Sequence, residues 1–319
     1  MITGQGLYPV YGGNGLRGFT ESYNHDGDYI LIGRQGALCG NIRKVTGKTY
    51  VTEHAIAVCA SKENETTFLQ YLFQKMKLGQ YSDQSAQPGL AVNKLLRLNI
   101  NVPSKIEQAK IAKILSLIDE RIITQNKIIE DLKELKSAIY QELFSNQQGE
   151  EYSLSELVEI IKGQQINGNE LSENGKYYVM NGGIMPSGYY DDYNTEAGTI
   201  SISEGGNSCG YVQYNSSKFW SGGHCYTLHI KPAAPISTLF LFHFLKWKET
   251  DIMTLRIGSG LPNIQKKDLS KVSIIVPTLD KQQRIMTLLS TFQMKIEHED
   301  MYAINLNKQK QYLLSQMFI

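Results

Sequence analysis

The chain has 319 residues, a formal charge of +1, 41% hydrophobic and 20% charged side chains, a balance that excludes a disordered chain and leaves ample core for two compact domains. No apolar run approaches the ~18 residues of a membrane span, and the opening MITGQGLYPV lacks the basic and apolar regions of a signal peptide, so a cytoplasmic protein is expected. Lys and Arg stand 10 to 7 against Asp and Glu over residues 1–103 and 10 to 13 over 148–276, which disfavours polyanion binding by bulk charge and leaves it to locally placed cations.

The first patterned stretch, YGGNGLRG at residues 11–18, matches GxGxxG through Gly13, Gly15 and Gly18. That fingerprint holds a pyrophosphate only where a helix N-terminus follows, and FTESYNHDGD has turn residues and no helical period, so the glycines are expected to form a turn. Short runs such as YILIG predict strands up to residue 103, and TTFLQYLFQKMK predicts a helix whose aromatic face packs on a sheet. From Ser104, an N-cap with Glu107 at the capping-box position, a long helix is predicted over 104–147. Its apolar positions are Ile111, Ile114, Ile118, Ile122, Ile129, Leu132, Ile139 and Leu143, and polar Gln125 and Lys136 interrupt the heptads. Strands (TISIS, YTLHI, SIIVP) and a second aromatic helix (STLFLFHFLKWK) follow over 148–276. A second long helix is predicted over 277–319, with Ile285, Leu288, Phe292, Ile296, Ala303, Leu306, Leu313 and Met317 on one stripe. A rod of ~40 residues and ~60 Å cannot bury its stripe on a small domain, but it can bury it on another rod of the same length.

The chain reads twice. YGGNGLRGF at Tyr11 returns as NGGIMPSGY at Asn181, GRQGALCGNI as SEGGNSCGYV, and His54 as His224, all displaced by 170; PGLAVNKLLRLNINVP returns as SGLPNIQKKDLSKVSIIVP, displaced by 174 at its closing proline. In the second copy the GxGxxG spacing dissolves while the turn glycines persist, which supports the turn reading. A period this long means a duplicated domain rather than a solenoid. The fold class expected is therefore α+β: two strand-rich domains (1–103 and 148–276) separated by a long antiparallel two-helix coiled coil (104–147 and 277–319), with a pseudo-two-fold internal repeat. Two binding surfaces on a rigid spacer suit a two-sited target such as duplex DNA.

The junctions GSGLPNIQKKDLSKVSIIVPTLDKQQRI and SAQPGLAVNKLLRLNINVPSKIEQAKIAKIL, with the loop GDYILIGRQGALCGNI, resemble the specificity subunits of type I restriction-modification systems. The resemblance covers both copies, and the strand-Pro-x-x-x-x-Gln-helix junction is its most specific part. It implies two target-recognition domains that each read half of a split double-stranded DNA site, a coiled coil that sets the unread spacer, and a bacterial or archaeal cytoplasm. It also implies methyltransferase subunits docked on the chain and a restriction/translocation subunit joining them, with S-adenosylmethionine, ATP and Mg²⁺ in those partners and no cofactor in this chain. The seam and partner positions implied are Ile118, Ile122, Gln125, Ile129, Leu132, Ile139, Phe292, Ile296, Leu306 and Leu313. One departure stands out: Met1 aligns with Leu171, so EYSLSELVEIIKGQQINGNE, read as an edge element of the second domain, has no counterpart in the first.

No methylation, P-loop or HExxH motif is present, so a non-catalytic subunit is expected. Cys39/His54 and Cys209/His224 supply two ligands per copy where structural zinc takes four, and are read as buried strand residues, with no metal. If base edges are read, polar side chains of the repeated glycine-rich loops are the candidates: Asn14, Arg17, Arg34, Gln35, Asn41, Arg43 and Lys44 in the first copy, and Ser187, Tyr189, Glu204, Asn207, Ser208, Gln213 and Lys218 in the second. Arg34 suits a guanine edge and Glu204, at the same repeat position, a cytosine amine, so the halves are expected to read different bases. The plan also suits a non-enzymatic scaffold for carbohydrate or peptide, a transcription factor without partners, or a truncated, inactive specificity-subunit allele.

Overall fold

The computed structural model describes every residue except 1, 3, 84–87, 259 and 319. It divides into two compact units, residues 1–129 with 299–319, and residues 130–298. Both expected long helices are present, and each contributes one part to each unit.

In unit 1 the order is β1 (Tyr8–Gly12), β2 (Gly15–Thr20), β3 (Asp28–Gly33), β4 (Ile42–Thr46), β5 (Tyr50–Val51), β6 (Ala55–Val58), α1 (Thr66–Met76), the short α2 (Val92–Leu95) and α3 (Lys105–Ser145). Two three-stranded sheets form, ordered β2-β1-β5 and β4-β3-β6. Helix α1 starts at Glu65, whose carboxylate accepts from Phe68 N at 2.5 Å, and it buries Phe68, Leu69 and Leu72 toward Ile30 of β3 and Tyr71 toward the long helices. Leu90 and Leu78 pack with Ile32 in a neighbouring cluster.

Unit 2 repeats this order with additions: β7 (Glu150–Ser153), α4 (Leu154–Leu157), β8 (Val158–Lys162), β9 (Tyr177–Met180), β10 (Tyr189–Tyr190), β11 (Thr199–Ser203), β12 (Val212–Asn215), β13 (Trp220–Ser221), β14 (Cys225–Ile230), α5 (Thr238–Trp247), α6 (Glu249–Thr254), α7 (Lys266–Leu269), β15 (Ser273–Val276) and α8 (Leu279–Met317). Its sheets are β10-β9-β13, the counterpart of β2-β1-β5, then β12-β11-β14-β8, which adds β8 beside β14 to the β4-β3-β6 pattern, and the two-stranded β15-β7. The segment without a counterpart in the first copy is thus β7, α4 and β8, and β8 is an edge strand. One core joins Leu154, Leu157, Ile200, Ile202, Phe240 and Phe244 to Ile285 and Leu289 of α8 and Phe144 of α3.

The long helices pair antiparallel inside each unit. In unit 1, Leu115 and Leu314 share a cluster with Tyr71, Lys310 Nζ lies 2.6 Å from Asp119, and Gln125 Nε2 donates to Glu299 at 2.5 Å. In unit 2, Lys136 Nζ donates to Gln293 at 2.6 Å, while Ile139, Tyr140, Leu143 and Phe144 join the core with Ile285, Met286 and Leu289. Asp119–Lys310 and Gln293–Lys136 occupy equivalent repeat positions, so one polar staple is built twice with different chemistry.

The seam departs from expectation at one place in each helix. Ile114 and Leu288 are 42% and 41% exposed, and their neighbours Leu115 and Leu289 are fully buried. The seam follows strict 3-4 spacing from Leu115 through Ile118, Ile122, Gln125, Ile129, Leu132, Lys136 and Ile139 to Leu143, so the polar residues lie in the stripe rather than breaking it. Of the seam positions expected, Ile118, Ile129, Ile296 and Leu306 are buried, with Gln125, while Ile122, Leu132, Ile139, Phe292 and Leu313 are half-buried.

The Pro-x-x-x-x-Gln junction has a physical basis. Gln108 is 1% exposed; its Oε1 accepts from Glu65 N at 2.9 Å and its Nε2 donates to the Pro103 carbonyl at 3.0 Å. Gln282, also 1% exposed, accepts from Ser237 N at 2.8 Å and donates to the Pro277 carbonyl at 2.9 Å. Glu65 and Ser237 are the N-caps of α1 and α5. One buried amide therefore joins the start of each long helix to the start of the domain's own helix, satisfying backbone groups that burial would otherwise orphan. At the same junction Ser104 and Glu107 form the expected capping box, with Ser104 N donating to Glu107 at 3.1 Å. The Ser104 hydroxyl, donating to Glu107 at 2.8 Å, and then the Ser104 N–H hold the Glu107 carboxyl below its ordinary range.

Candidate nucleic-acid interface

The GxGxxG stretch is the tip of the β1–β2 hairpin. Gly15 has φ +99°, a conformation that suits glycine, and β2 rather than a helix follows, so there is no helix N-terminus to hold a phosphate. The tip is packed tightly: a Cβ on Gly12 would fall 2.8 Å from Arg17 Cδ, and one on Gly13 2.8 Å from the His54 carbonyl.

A second loop leaves β3. Gly33 N donates to the Asn41 carbonyl and Gly40 N to Gly33, closing a turn over 33–41; Ser203, Tyr211 and Gly210 close the same turn over 203–211. In both copies the residue after the strand is clamped on both sides: Arg34 N donates to His54 and Leu90 N to the Arg34 carbonyl, and Glu204 N donates to His224 and Ile264 N to the Glu204 carbonyl. The cysteine thiols belong to this turn, with Cys39 Sγ donating to the Arg34 carbonyl and Cys209 Sγ to the Glu204 carbonyl. The backbone is thus held constant while its side chains differ.

In unit 1 the hairpin and this loop bring Asn14, Arg17, Arg34, Gln35 and Arg43 to neighbouring positions, all exposed. The Arg43 guanidinium flanks Gly15, and Arg34 Nη1 donates to the Glu53 carbonyl at 3.5 Å. His54, read from the sequence as buried, is a half-exposed loop residue bonded to Gln35 Oε1 at 2.9 Å and 3.2 Å from Glu53. Two candidates lie elsewhere. Strand alternation turns Lys44 to the α1 face, where Nζ donates to Thr67 at 2.9 Å, and Asn41 lines a pocket with Gln74, Lys77 and Lys310.

In unit 2, Ser187, Tyr189 and Asn207 are exposed, and Ser208 is half-buried in the turn. Glu204 does not present its carboxylate. Its side chain is 12% exposed, and Oε1 accepts from Lys162 Nζ at 2.7 Å and from the Tyr226 hydroxyl at 3.0 Å. That arrangement corrects the expectation that Glu204 offers an acceptor to a base: β8 and β14 place a cation and a hydroxyl over it. Burial and the Glu204 hydrogen bond push the Tyr226 hydroxyl well above its ordinary pKa. What faces out is Lys162, 54% exposed, and His224, 63% exposed and 3.9 Å from Glu204.

Gln213 and Lys218 are also drawn inward. Gln213, half-buried on β12, donates to Asn215 at 3.4 Å. Lys218 Nζ sits 4.0 Å from the centre of the Tyr193 ring, donates to its hydroxyl at 2.7 Å and pairs with Glu196 at 3.2 Å. The equivalent Lys48 lies 4.7 Å over Tyr23, so this cation–π contact is a latch of the repeat rather than a loop-specific feature. Sequence reasoning missed Lys162, which lies in a segment with nothing to compare it to, and misread His54 and His224, whose recurrence was the signal. Among the described residues no cluster of three or more His, Cys, Asp or Glu could hold a metal ion, and no helix is long and apolar enough to cross a membrane.

Comparison with known proteins places this duplicated scaffold. Residues 2–134 and 146–306 match the family described as type I restriction modification DNA specificity domain, and the chain belongs to that family. It is 43% identical over 132 residues to the type I restriction enzyme EcoprrI specificity subunit of Escherichia coli, a match covering 41% of this chain and 32% of that subunit. The matches to the first curated relatives span 32%, 43% and 38% of their lengths. The fold is similar to the crystal structure of a type I restriction-modification S subunit from M. genitalium, with TM-score 0.69, 22% identity, and coverage of 100% of this chain and 90% of that one. It is also similar to a chain from a structure on complex assembly and conformational transition of the type I R-M system, with TM-score 0.65, 18% identity, and coverage of 93% and 82%.

Proposed function

We propose that the chain is a DNA sequence-specificity subunit of a type I restriction-modification complex. Each strand-rich domain reads one half of a bipartite double-stranded site, and the helix pair fixes the number of unread base pairs between them. The observation that carries this reading is the repeated 33–41 and 203–211 turn, clamped identically in the two copies and furnished differently: Arg34 and Gln35 in one, with Arg43 beside it, and Asn207 and Ser208 in the other, with Lys162 beside it. Constant backbone with variable side chains is what reading two different half-sites asks of one fold.

In this proposal the chain carries no catalytic group, works in the bacterial or archaeal cytoplasm, and docks methyltransferase subunits that in turn recruit a restriction/translocation subunit. S-adenosylmethionine, ATP and Mg²⁺ belong to those partners. Exposed apolar residues beside the seam support docking on the helices. In unit 1, Ile114, Leu117 and Ile128 continue one stripe, and Leu117 and Tyr302 line a shallow pocket of about 540 Å³.

The test is to express the chain with its cognate methyltransferase subunit and map modified adenines across the genome. A two-part motif with a constant gap is expected. Unmethylated DNA, together with no gel shift at low salt, would return the carbohydrate- or peptide-binding scaffold as the better reading.

A further inference from the structure

Three arginines gather at the tip of the β1–β2 hairpin in unit 1, and glycines make the room for them. A Cβ on Gly15 would fall 3.1 Å from Arg43 Nη2 and 3.4 Å from its Cζ, so this guanidinium lies against the bare turn. A Cβ on Gly12 would fall 2.8 Å from Arg17 Cδ and 3.4 Å from its Nε. Gly13 is where the hairpin meets the 33–41 turn: its Cβ would stand 2.8 Å from the His54 carbonyl and 3.7 Å from Arg34 N. Arg17, Arg34 and Arg43 are all exposed, and among the described residues none pairs with a carboxylate. The Arg34 guanidinium donates to the Glu53 carbonyl at 3.5 Å, while the Glu53 carboxylate lies 3.2 Å from His54.

The repeat removes all of these cations from unit 2. The equivalent residues, displaced by 170, are Ser187, Glu204 and Gln213. Where Arg43 becomes Gln213, Gly15 becomes Met185, so the guanidinium and the glycine that accommodates it are lost together. Glu204 and Gln213 turn to partners inside their own unit, Lys162 and Tyr226 for the first and Asn215 for the second. An exposed, unpaired guanidinium offers parallel N–H donors on a planar fork. Guanine is the base whose major-groove edge sets two acceptors, N7 and O6, side by side, whereas adenine sets an amino donor beside N7. We propose that unit 1 is the guanine-reading half of the chain: Arg17, Arg34 and Arg43 take the N7 and O6 edges of guanines in the major groove, and unit 2 reads its half-site without arginine at the equivalent positions. The inference rests on the DNA-reading function proposed above and adds which base unit 1 selects.

The test uses the full chain in complex with its cognate methyltransferase subunit and duplexes carrying the motif mapped by adenine methylation. Each guanine of either strand is replaced in turn by 7-deazaguanine, which deletes the N7 acceptor and keeps the pairing face, and affinity is read by fluorescence anisotropy. In the unchanged chain, replacement at the guanines of one half-site is expected to weaken binding by about tenfold each. Arg17→Gln, Arg34→Gln and Arg43→Gln are each expected to abolish that sensitivity at one guanine and keep it at the others, which also shows that the variant is folded. The base analogue itself needs no altered chain. A motif without guanine, no effect of 7-deazaguanine, or sensitivity that survives in all the variants overturns the proposal and leaves the DNA reading intact. So does an equal loss on motif and random duplexes with a smaller salt slope, the mark of phosphate contacts. An unchanged complex that binds no DNA overturns both.

Discussion

Gln125 and Glu299 are the same position of the internal repeat, 174 residues apart, and they bond to each other: Gln125 Nε2 donates to the Glu299 carboxylate at 2.5 Å and to its carbonyl at 3.2 Å. A position that meets its own counterpart is what an antiparallel pair of equal helices requires. Both side chains are buried, at 4% and 9% exposure, inside an otherwise apolar seam. Gln125→Leu takes a donor from a buried carboxylate and should cost about 1–3 kcal/mol in urea unfolding. The double change to leucine should recover that loss and leave the helices free to associate in other registers, seen as new oligomers in sedimentation.

The buried amide at each junction should matter as much as a core side chain. Gln282→Ala strips the partners from Ser237 N and the Pro277 carbonyl, and Gln108→Ala does the same for Glu65 N and Pro103. Each is expected to lower the unfolding free energy by about 1–3 kcal/mol in denaturant titration. Glutamate at either position, which keeps the acceptor and loses the donor, should not restore it.

His243 gives unit 2 a pH dependence. Burial, with Lys136 nearby, lowers its pKa to about 4, and it is hydrogen-bonded to the Tyr140 hydroxyl, itself pushed up to about 12 by burial. The folded state holds the imidazole neutral while the unfolded chain protonates near pH 6.5. Stability from this group is therefore complete above about pH 6.5 and is lost as pH falls toward 4, at up to about 1.4 kcal/mol per unit. His243→Phe should flatten that window relative to the unchanged chain when thermal midpoints are compared from pH 4 to 7.

The outward cations should carry binding, while Glu204 acts through one of them. Lys162→Gln and Arg34→Gln are each expected to weaken DNA affinity, by about 1–3 kcal/mol if they reach a base edge and with a salt slope smaller by about one if they reach phosphate. Glu204→Gln keeps the hydrogen bond to Lys162 and loses the charge, so it should change affinity less than Lys162→Gln. A fluorescence-anisotropy titration at several salt concentrations separates these outcomes.

Much of this architecture was legible in the sequence because the repeat is a one-dimensional signal. The duplicated junctions, the two long helices and the strand-rich domains follow from periodicity and turn residues. The seam register slipped by one at Ile114 and Leu288 because an apolar neighbour, Leu115 or Leu289, sits beside each, and only the facing helix decides between them. The direction in which a loop side chain points was not legible. Glu204 turns inward because Lys162, 42 residues earlier, and Tyr226, 22 later, meet it across paired strands, and Lys44 turns to α1 because β4 alternates. The buried state of Gln108 and Gln282 was hidden for the same reason, since the helix caps that each bonds, Glu65 and Ser237, lie more than 40 residues away.

The amide clamp makes the two halves chemically interchangeable at their seams. A cut placed just before Pro103 and rejoined just before Pro277 would bring the same three groups together, a proline carbonyl, a glutamine and the N–H of a helix cap. Under the function proposed above, such an exchange would replace one recognition domain and leave the chemistry of the helix junction unchanged.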